Sequence, residues 1–385
     1  MPRLAIITTH PIQYNAPWFA MLARDPGLEL KVFYTWSQRQ SDLYDQNFGK
    51  AIEWDIPLLE GYDSFFVENT SKNPGNKAYR GIICPSLIKE IVSWKATHLL
   101  VFGWNFQAHL RAMRYFKGRI PVLFRGDSTL LDERGGVKSI LRRIVLSRVY
   151  RHVDFALYTG DSNHAYFRKH GIKSAQLIFA PHAIDNDRFI REDAEYEKQA
   201  AAFRNELNIK TDDKVILFVG KFEAKKNPTL LLNAFKMLRA EKGHETLKLL
   251  FVGSGEEEQD LKQQAAGMDS VLFAGFQNQS QLPSIYRSAD VLCLPSGGPG
   301  ETWGLVVNEA MACGVKCLIS DKAGCAANLG ASEGNEVFRS GDSKDLAEKL
   351  DKALSSSKLD NAEFLSIYSF DHICDSIKGI LALNE

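Results

Sequence analysis

Residues 295–314 read PSGGPGETWGLVVNEAMACG, and this stretch predicts how its neighbourhood folds. An apolar run ends at Pro295, a glycine-rich loop follows, and a helix is predicted over Leu305–Ala312. Glycines leave no side chain between the backbone and a ligand, and the free N–H groups at the start of a helix favour an anion. The order of strand, glycine loop and helix therefore predicts an anion-binding edge of an α/β sheet.

The same alternation of short apolar runs and helical patterns extends outward from this stretch over most of the chain. Continuous apolar runs are typical of strands buried on both faces of a parallel sheet. The predicted strands are Leu4–Thr8, Leu28–Tyr34, His98–Phe102, Pro121–Arg125, Asp154–Thr159, Gln176–Phe179, Val215–Val219, Leu247–Val252, Val271–Phe273, Val291–Leu294, Val315–Ile319 and Val337–Phe338. The predicted helices are Ala16–Arg24, Phe106–Phe116, Lys138–Tyr150, Glu195–Leu207, Thr229–Ala240, Glu256–Gln264, Leu305–Ala312, Lys344–Leu354 and Phe370–Leu383. This alternation predicts the α/β class with βαβ units.

A polar, acidic stretch between about Asp185 and Asp213 lacks strand character and divides the pattern into two parts. We therefore predict two Rossmann-like, doubly wound parallel-sheet domains, N-terminal (1–190) and C-terminal (191–365). A terminal helix (366–385) is expected to pack back on the N-terminal domain. Because ligands of such sheets bind at the carboxyl ends of the strands, we expect the two domains to face a cleft that holds the site.

The composition excludes several classes of protein. The chain has 385 residues with 47 basic and 47 acidic side chains, so it has no overall charge with which to hold nucleic acid. Six cysteines lack the spacing of a zinc site and suit a reducing compartment. No apolar run approaches the roughly 20 residues of a membrane-spanning helix. We expect a cytoplasmic protein, free or at the inner face of the cell membrane, with no nucleic-acid partner.

Two glutamates mark the start of the predicted helix after the glycine-rich loop. Glu301 and Glu309 are eight residues apart, which corresponds to a span of up to about 12 Å along a helix. That span exceeds the roughly 5–9.5 Å that separates the carboxylates of a glycosidase. A pair that brackets an extended ligand, one acid on each side of a phosphate, fits better. The alternative is one acid near the helix start and one solvated helix glutamate.

Two lysines flank a turn at the end of the first strand of the C-terminal domain. Lys221 and Lys226 lie in the segment GKFEAKKN, residues 220–227. A lysine about 4 Å from a phosphate gains roughly 4 kcal/mol at an effective dielectric constant near 20. A helix terminus contributes only about 0.3–1 kcal/mol. If a diphosphate leaves here, the lysines dominate its stabilisation; the alternative is a solvated lysine turn.

These segments carry a resemblance to a known family. GKFEAKKN, VGSG (252–255), AGF (274–276) and the two glutamates occur in the order of the retaining family 4 glycosyltransferases, which have the GT-B fold and use nucleotide sugars. The chain has Lys221 where that family usually has arginine, which keeps the charge and loses a bidentate fork. HPIQY (10–14) together with RGDS (125–128) resembles a bacterial subgroup of the family.

For the C-terminal domain the resemblance implies nucleotide-sugar binding without a metal or other cofactor. Lys221 and Lys226 would grip the diphosphate of a UDP- or GDP-sugar, and Glu301 would bind hydroxyls of the donor sugar. Glu309 would accept the ribose hydroxyls. The further donor-side candidates, through backbone groups or close chain approach, are Gly253, Gly255, Phe276, Gln277, Thr302, Trp303, Gly304 and Leu305.

For the N-terminal domain the resemblance implies binding of a glycan or lipid-linked acceptor. Asp127 is the fourth catalytic candidate beside Glu301, Lys226 and Lys221, because it could contact the acceptor hydroxyl or the donor sugar. The acceptor-side candidates are His10, Gln13, Tyr14, Trp104, Asn105 and Arg125. The alternatives are a structural salt bridge between Arg125 and Asp127 and a loop role for His10 and for Phe102–Asn105.

A basic region lies in the second half of the N-terminal domain. Residues 111–170 hold thirteen Lys or Arg against five Asp or Glu, and Val137–Arg151 combines basic residues with an apolar stripe at helical spacing. A basic amphipathic helix can lie on an anionic membrane surface. The alternative is a core helix with a solvated basic face.

The function that we predict is transfer of a sugar from a nucleoside-diphosphate donor to a hydroxyl acceptor with retained anomeric configuration. The resemblance places this activity in the assembly of surface polysaccharide, lipopolysaccharide or glycolipid. One rival is a sugar-nucleotide epimerase or a phosphorylase of the same fold. The other is a non-catalytic nucleotide-sugar-binding relative, which would tolerate replacement of Glu301 and Lys226.

Overall fold

The computed structural model describes residues 1–36, 44–45, 50–51, 54–133, 135–190, 194–242, 245–355 and 361–383. Contacts divide the chain into two units. The first comprises Met1–Leu43, Ile56–Pro181 and Phe370–Glu385, and the second comprises Tyr44–Asp55 and His182–Ser369. The domain boundary predicted at 190/191 adjoins residues 191–193, which lie outside the described residues.

The strands and helices follow each other in alternation. The strands are β1 (Arg3–Thr8), β2 (Glu29–Tyr34), β3 (Tyr44–Asp45), β4 (Lys50–Ala51), β5 (Asp63–Phe66), β6 (His98–Phe102), β7 (Val122–Arg125), β8 (Phe155–Tyr158), β9 (Leu177–Phe179), β10 (Lys214–Val219), β11 (Leu247–Val252), β12 (Val271–Phe273), β13 (Val291–Leu294), β14 (Lys316–Ser320) and β15 (Glu336–Phe338). The helices are α1 (Ala16–Ala23), α2 (Leu87–Ser93), α3 (Gln107–Phe116), α4 (Val137–Tyr150), α5 (Asp161–Lys169), α6 (Asn186–Ile190), α7 (Ala194–Glu206), α8 (Pro228–Lys242), α9 (Glu258–Gln264), α10 (Leu282–Arg287), α11 (Leu305–Ala312), α12 (Ala326–Leu329), α13 (Ser343–Ser355), α14 (Ala362–Ile367) and α15 (Phe370–Ala382). Among the helices that the structure describes, none is both long and apolar enough to cross a bilayer.

Each unit is built on one parallel sheet. The described strands of the first unit pair in the order β5-β2-β1-β6-β7-β8-β9, and those of the second in the order β12-β11-β10-β13-β14-β15. Every neighbouring pair in these two sheets is parallel. The predicted α/β class with two doubly wound sheets is therefore confirmed.

The predicted strands all occur, with ends that differ by at most one residue. The reason is that most of them are continuous buried runs; Leu4–Ile7 of β1, for example, is fully buried. The sequence analysis missed β5, because this strand lies at the edge of its sheet and leaves Phe65 and Phe66 partly exposed. It also missed the short antiparallel pair of β3 and β4.

The strand order fixes where each sheet opens. Chain progression reverses between β1 and β6 in the first unit and between β10 and β13 in the second. Loops that leave the carboxyl ends of two such strands diverge to opposite faces and leave a crevice at the switch point. The loops after β10 and β13 are those that carry Lys226 and Glu301.

The terminal helix α15 belongs to the first unit. Its apolar face buries Ile373, Ile377 and Ile380, and it contacts α1 and β9. Ser376 donates a hydrogen bond to the carbonyl of Phe179 at 2.7 Å. The chain end is thus packed beside the last strand of the first sheet.

Candidate active site

The two loops at the switch point of the second unit are joined by an ion pair. Lys226, just before α8, contacts Oε2 of Glu301 in the loop before α11. Ser296 donates a hydrogen bond to the same carboxylate oxygen at 2.7 Å. The two charged side chains are only 18% and 10% exposed. Because little water screens this pair, an anion that reaches Lys226 competes directly with Glu301 for the ammonium.

Two glycines of the loop after β11 let two backbones touch. A side chain at Gly253 would place its Cβ 1.9 Å from the carbonyl oxygen of Gly220, and one at Gly255 would lie 2.4 Å from that of Phe222. The phenylalanine N–H donates to the carbonyl of Ser254 at 3.0 Å. These glycines therefore have a packing role that the sequence analysis did not identify. Between them, the buried hydroxyl of Ser254 has no hydrogen-bond partner among the described residues.

Gly304 sets the start of α11. Its φ of +109° lies in the left-handed region, and an added Cβ would lie 2.5 Å from Cδ2 of Leu294. Trp303 is buried and donates from its indole nitrogen to Oδ1 of Asn308 at 2.8 Å. The side chain of Trp303 is thus used in packing, whereas Thr302 and Leu305 stay partly exposed at the helix start. The first N–H groups of a helix have no carbonyl partner within the helix, which suits them to an anionic ligand.

Glu309 lies in the second turn of α11 and is fully buried. The hydroxyl of Tyr286, on α10, donates to Oε2 of Glu309 at 2.6 Å. This tyrosine orients the carboxylate, and the sequence analysis missed it because the two side chains come from different helices. That Glu309 accepts ribose hydroxyls stays a prediction.

The remaining donor-side candidates line the same sheet edge. Gly253 donates from its N–H to the carbonyl of Gly275 at 2.7 Å, so the loop after β12 lies beside the loop after β11. In that loop Phe276 and Gln277 are partly exposed, and the Gln277 amide donates to the carbonyl of Ala274 at 2.7 Å. Lys221 is partly exposed after β10. The structure thus brings all the predicted donor-side residues to the carboxyl edge of one sheet.

The predicted acceptor-side residues follow strands of the first sheet. His10, Gln13 and Tyr14 follow β1, and Trp104 and Asn105 follow β6. His10 Nδ1 lies 2.9 Å from the Thr9 hydroxyl, and burial lowers the pKa of His10. Their role toward an acceptor stays a prediction.

Arg125 is buried at the end of β7. Its guanidinium donates to the carbonyls of Ala180 and Pro181 at 2.8 and 2.9 Å. Burial lowers the pKa of Arg125 to about 10, while the charge of Asp127 acts in the opposite direction. The side chain is therefore still protonated at neutral pH. Its hydrogen bonds fix the backbone after β9, and its positive charge interacts with the carboxylate of Asp127.

His109 on α3 was not singled out by the sequence analysis. It is fully buried; its Nε2 lies 2.8 Å from the Thr35 hydroxyl, and its Nδ1 lies 3.0 Å from the carbonyls of Phe102 and Gly103. Because carbonyls only accept, Nδ1 carries the proton and Nε2 accepts from the threonine. This histidine ties the end of β2 to the loop that carries Trp104 and Asn105.

Lowering the pH from 7 to 5 is expected to remove about 2 kcal/mol of unfolding free energy through His109 alone. Burial lowers the pKa of His109 from 6.5 to about 4. Because the folded value is the lower one, the stabilisation is present above pH 6.5 and is lost as the pH falls toward 4. Urea titrations at the two pH values measure it. A His109→Gln variant should change less with pH than the parent, and equal pH dependence of the two proteins would contradict the assignment.

In the part of the chain that the structure describes, no group of three or more His, Cys, Asp or Glu side chains lies close enough to hold a metal ion. The six cysteines are free thiols, and burial raises the pKa of Cys313 to about 12. Cysteine nucleophiles need a lowered pKa, so Cys313 is suited to packing.

Known proteins resemble this chain in the sequence of its second unit and in its fold. Residues 199–363 match the family model for glycosyl transferases group 1. The solved structure of HepE from Anabaena, in complex with UDP and glucose, superposes with a TM-score of 0.68 over 99% of this chain and 100% of that chain, at 16% identity. The fold is therefore of the GT-B type, as predicted.

Each of two sequence relatives matches about a third of the chain. Phosphatidyl-myo-inositol mannosyltransferase of Mycobacterium leprae is 36% identical over 139 residues, which cover 36% of this chain and 36% of the relative. Lipopolysaccharide 1,2-N-acetylglucosaminetransferase of Salmonella typhimurium is 35% identical over 132 residues, which cover 31% of this chain and 34% of the relative. The chain thus spans about a third of the length of these curated relatives. The match to glycosyl transferases group 1 thus lies within the second unit, at residues 199–363.

Proposed function

We propose that the protein is a retaining glycosyltransferase that moves a sugar from a UDP- or GDP-sugar to a hydroxyl acceptor. The observation that carries the proposal is the Lys226–Glu301 pair at the switch point of the second sheet, inside the matched domain. A ligand with a diphosphate next to a sugar can satisfy both partners at once, because the phosphate replaces Glu301 at the ammonium and the sugar hydroxyls replace the ammonium at the carboxylate.

Lys226 would stabilise the leaving diphosphate. An ammonium about 4 Å from a phosphate oxygen contributes roughly 4 kcal/mol at an effective dielectric constant near 20. The start of α11 contributes about 0.3–1 kcal/mol, up to about 2 in a partly buried site. Because Glu301 already holds Lys226 in place, little reorganisation is needed as negative charge develops. Lys221 would add a second ammonium.

The acceptor side would complete the transfer. The bond between the anomeric carbon and the diphosphate breaks, and the acceptor oxygen bonds to that carbon from the same face. The leaving phosphate oxygen takes the acceptor proton, so configuration is retained and no protein base is needed. Asp127 would orient the acceptor hydroxyl or the donor sugar.

Two features support a nucleoside-diphosphate donor. Glu309, whose buried carboxylate is oriented by Tyr286, would accept the ribose hydroxyls. The buried Ser254 hydroxyl has no hydrogen-bond partner among the described residues and lies in the loop next to Gly220. HepE was solved with UDP and glucose, so UDP-sugars are the first donors to test. The mannosyltransferase and the lipopolysaccharide enzyme among the relatives favour a lipid-linked or lipopolysaccharide acceptor.

The experiment is a transfer assay with a panel of UDP- and GDP-sugars, each with and without lipid-linked glycan acceptors, in the presence of EDTA. We expect glycosylated acceptor with the anomeric configuration of the donor, read by NMR. An altered sugar nucleotide formed from donor alone would identify an epimerase. Binding without any product would identify a non-catalytic relative. Strict dependence on added Mg²⁺ would contradict the proposal that lysines and the start of α11 stabilise the leaving group.

We also propose that α4 contacts an anionic membrane at the inner face of the cell membrane. Its first turns leave Val137 73%, Ile140 61% and Leu141 58% exposed, while Leu146 and Val149 pack inward. A contiguous exposed apolar patch is typical of an interaction surface, and the exposed Lys138 and Arg143 beside it suit anionic lipid.

Reversing two charges on α4 is expected to release the protein from vesicles. Each basic residue near an anionic surface contributes about 1 kcal/mol, so Lys138→Glu with Arg143→Glu should weaken co-sedimentation with phosphatidylglycerol vesicles by more than about tenfold. Arg142 is left unchanged because it donates to the Tyr166 hydroxyl at 3.2 Å. The matched control is Lys72→Glu with Lys77→Glu, in an exposed loop of the same unit. If the α4 variant and the control variant bind vesicles equally well, the proposed membrane contact of α4 is wrong and its basic face is only solvated.

A further inference from the structure

A pocket of about 690 Å³ lies between α2 and α3 of the first unit. That volume is within the range of small-ligand sites, roughly 300–1,000 Å³. The α3 residues that line the pocket lie from the middle of this helix to its last turn, and β7 is the next strand along the chain. The pocket is therefore near the amino end of β7, at the amino edge of the first sheet. The acceptor-side loops are at the opposite edge, and the pocket is thus separate from the candidate active site.

Cations dominate the lining of this pocket. Lys89 comes from α2, Arg111 and Arg114 come from α3, and Arg119 follows α3. No carboxylate is among the lining residues. Within the described ranges, neither Lys89 nor either α3 arginine has an ion-pair partner.

Two other cations of the first unit have carboxylate partners. Lys117 pairs with Asp154, and Arg3 lies 3.0 Å from Glu29. The chain as a whole has as many acids as bases. Four cations without an ion-pair partner among the described residues thus surround one concavity, and this arrangement costs stability because like charges three residues apart on a helix, such as Arg111 and Arg114, repel.

Helix electrostatics explain only part of this group. Arg114 lies in the last turn of α3, where the negative end of the helix favours a cation. Lys89 is the third residue of α2, near the positive end of its helix, and Arg111 is in the middle of α3. Helix dipoles therefore do not account for Lys89 and Arg111, whose side chains are exposed at the pocket.

The fourth cation is held in place by an aromatic ring. The Arg119 guanidinium lies 4.4 Å from the ring centre of Tyr115, and it also donates to the carbonyl of that residue. Ile88 and Val92 provide an apolar wall. Guanidinium forks match the oxygens of a phosphate group and hold it through paired hydrogen bonds.

We propose that this pocket binds a phosphate or diphosphate group, carried by a soluble ligand or by a lipid headgroup. The inference goes beyond the proposed glycosyl transfer, since none of these residues is in the candidate active site. A bound phosphate neutralises the unpaired cations and removes their mutual repulsion.

Calorimetric titration of the full-length protein with pyrophosphate at low salt tests the proposal. Arg111→Glu with Arg114→Glu is expected to weaken binding by about tenfold or more, because charge-assisted hydrogen bonds are lost and charge is reversed. The matched control is Lys72→Glu with Lys77→Glu, which has the same net charge and lies outside the pocket. Pyrophosphate held near Lys226 is common to the parent and both variants, so their difference reports the pocket.

A second titration identifies the source of the phosphate. Dihexanoyl phosphatidic acid is monomeric and carries a lipid headgroup, and dihexanoyl phosphatidylcholine is its zwitterionic control. Pocket-dependent binding of pyrophosphate assigns a soluble ligand, and pocket-dependent binding of phosphatidic acid alone assigns a headgroup. The proposal is overturned if the pocket variant binds both anions like the parent, or if the control variant loses as much. Circular dichroism checks folding, and Arg111→Gln with Arg114→Gln replaces the charge reversal if that variant unfolds.

Discussion

Replacing Lys226 with alanine is expected to lower the turnover of glycosyl transfer by roughly a hundredfold to a thousandfold, the usual effect of removing one group that stabilises developing charge. Lys226 is the ammonium that the structure holds against the Glu301 carboxylate. In the proposed reaction the diphosphate replaces Glu301 at this ammonium. The loss should appear mainly in kcat, because the interaction strengthens as the anomeric bond breaks.

The same variant also removes the cation from a largely buried carboxylate. Glu301 keeps the Ser296 hydrogen bond, so we expect a loss of unfolding free energy of about 1–3 kcal/mol. Turnover must therefore be measured at a temperature where the variant is folded, with thermal unfolding recorded in parallel. Lys226→Arg keeps the charge and should recover most of the stability.

Lys225 provides the matched control for this experiment. It lies in the same loop, is 44% exposed and pairs with Glu223 at 3.2 Å. Exposed ion pairs contribute little, so Lys225→Ala should leave turnover and stability close to the parent. The proposed role of Lys226 is wrong if Lys226→Ala turns over like the parent, or if Lys226→Ala and Lys225→Ala lose turnover equally.

Substituting alanine for Gly253 is expected to lower the unfolding free energy by about 3 kcal/mol or more, from overpacking and backbone strain together. The new Cβ would lie 1.9 Å from the carbonyl oxygen of Gly220, and φ at Gly253 is +137°. The Gly220 backbone cannot move away easily, because its N–H donates to the carbonyl of Val252 at 3.0 Å. The loops after β10 and β11 would separate, so binding of nucleotide sugar should be lost as well.

A Gly267→Ala variant separates the cost of overpacking from the cost of backbone strain. Its φ is +79°, but an added Cβ would meet no atom within 4 Å. Gly267→Ala should therefore cost only the backbone penalty, about 1–2 kcal/mol. Chemical denaturation of both variants gives the comparison. A Gly253→Ala protein no less stable than Gly267→Ala would show that the backbone contact is not tight in solution.

Motif positions could be predicted because they depend on short stretches of chain. GKFEAKKN, VGSG and the glycine-rich loop each follow an apolar run, so all were expected at strand carboxyl ends, and the structure has them there. Side-chain partners could not be predicted in the same way. The Lys226–Glu301 contact joins residues 75 positions apart, and Tyr286 reaches Glu309 from another helix.

Arg125 illustrates the same limit. The RGDS segment leaves an acceptor-side role of Arg125 and a salt bridge with Asp127 as alternatives, whereas the structure has the Arg125 guanidinium on the carbonyls of Ala180 and Pro181. Those carbonyls follow β9, two strands away in the sheet. The pairing depends on how the strands are ordered, which no local pattern contains.

The amino-acid sequence by itself determined most of the strands, the two parallel sheets and the edge of the second sheet at which the charged motifs lie, because runs of buried apolar residues and glycine turns are local properties. Only the tertiary structure decided which charges meet: Lys226 with Glu301, His109 between two strand ends, and four cations around one pocket. Such contacts join distant parts of the chain, and they form only after the crossovers of each sheet have set the neighbours.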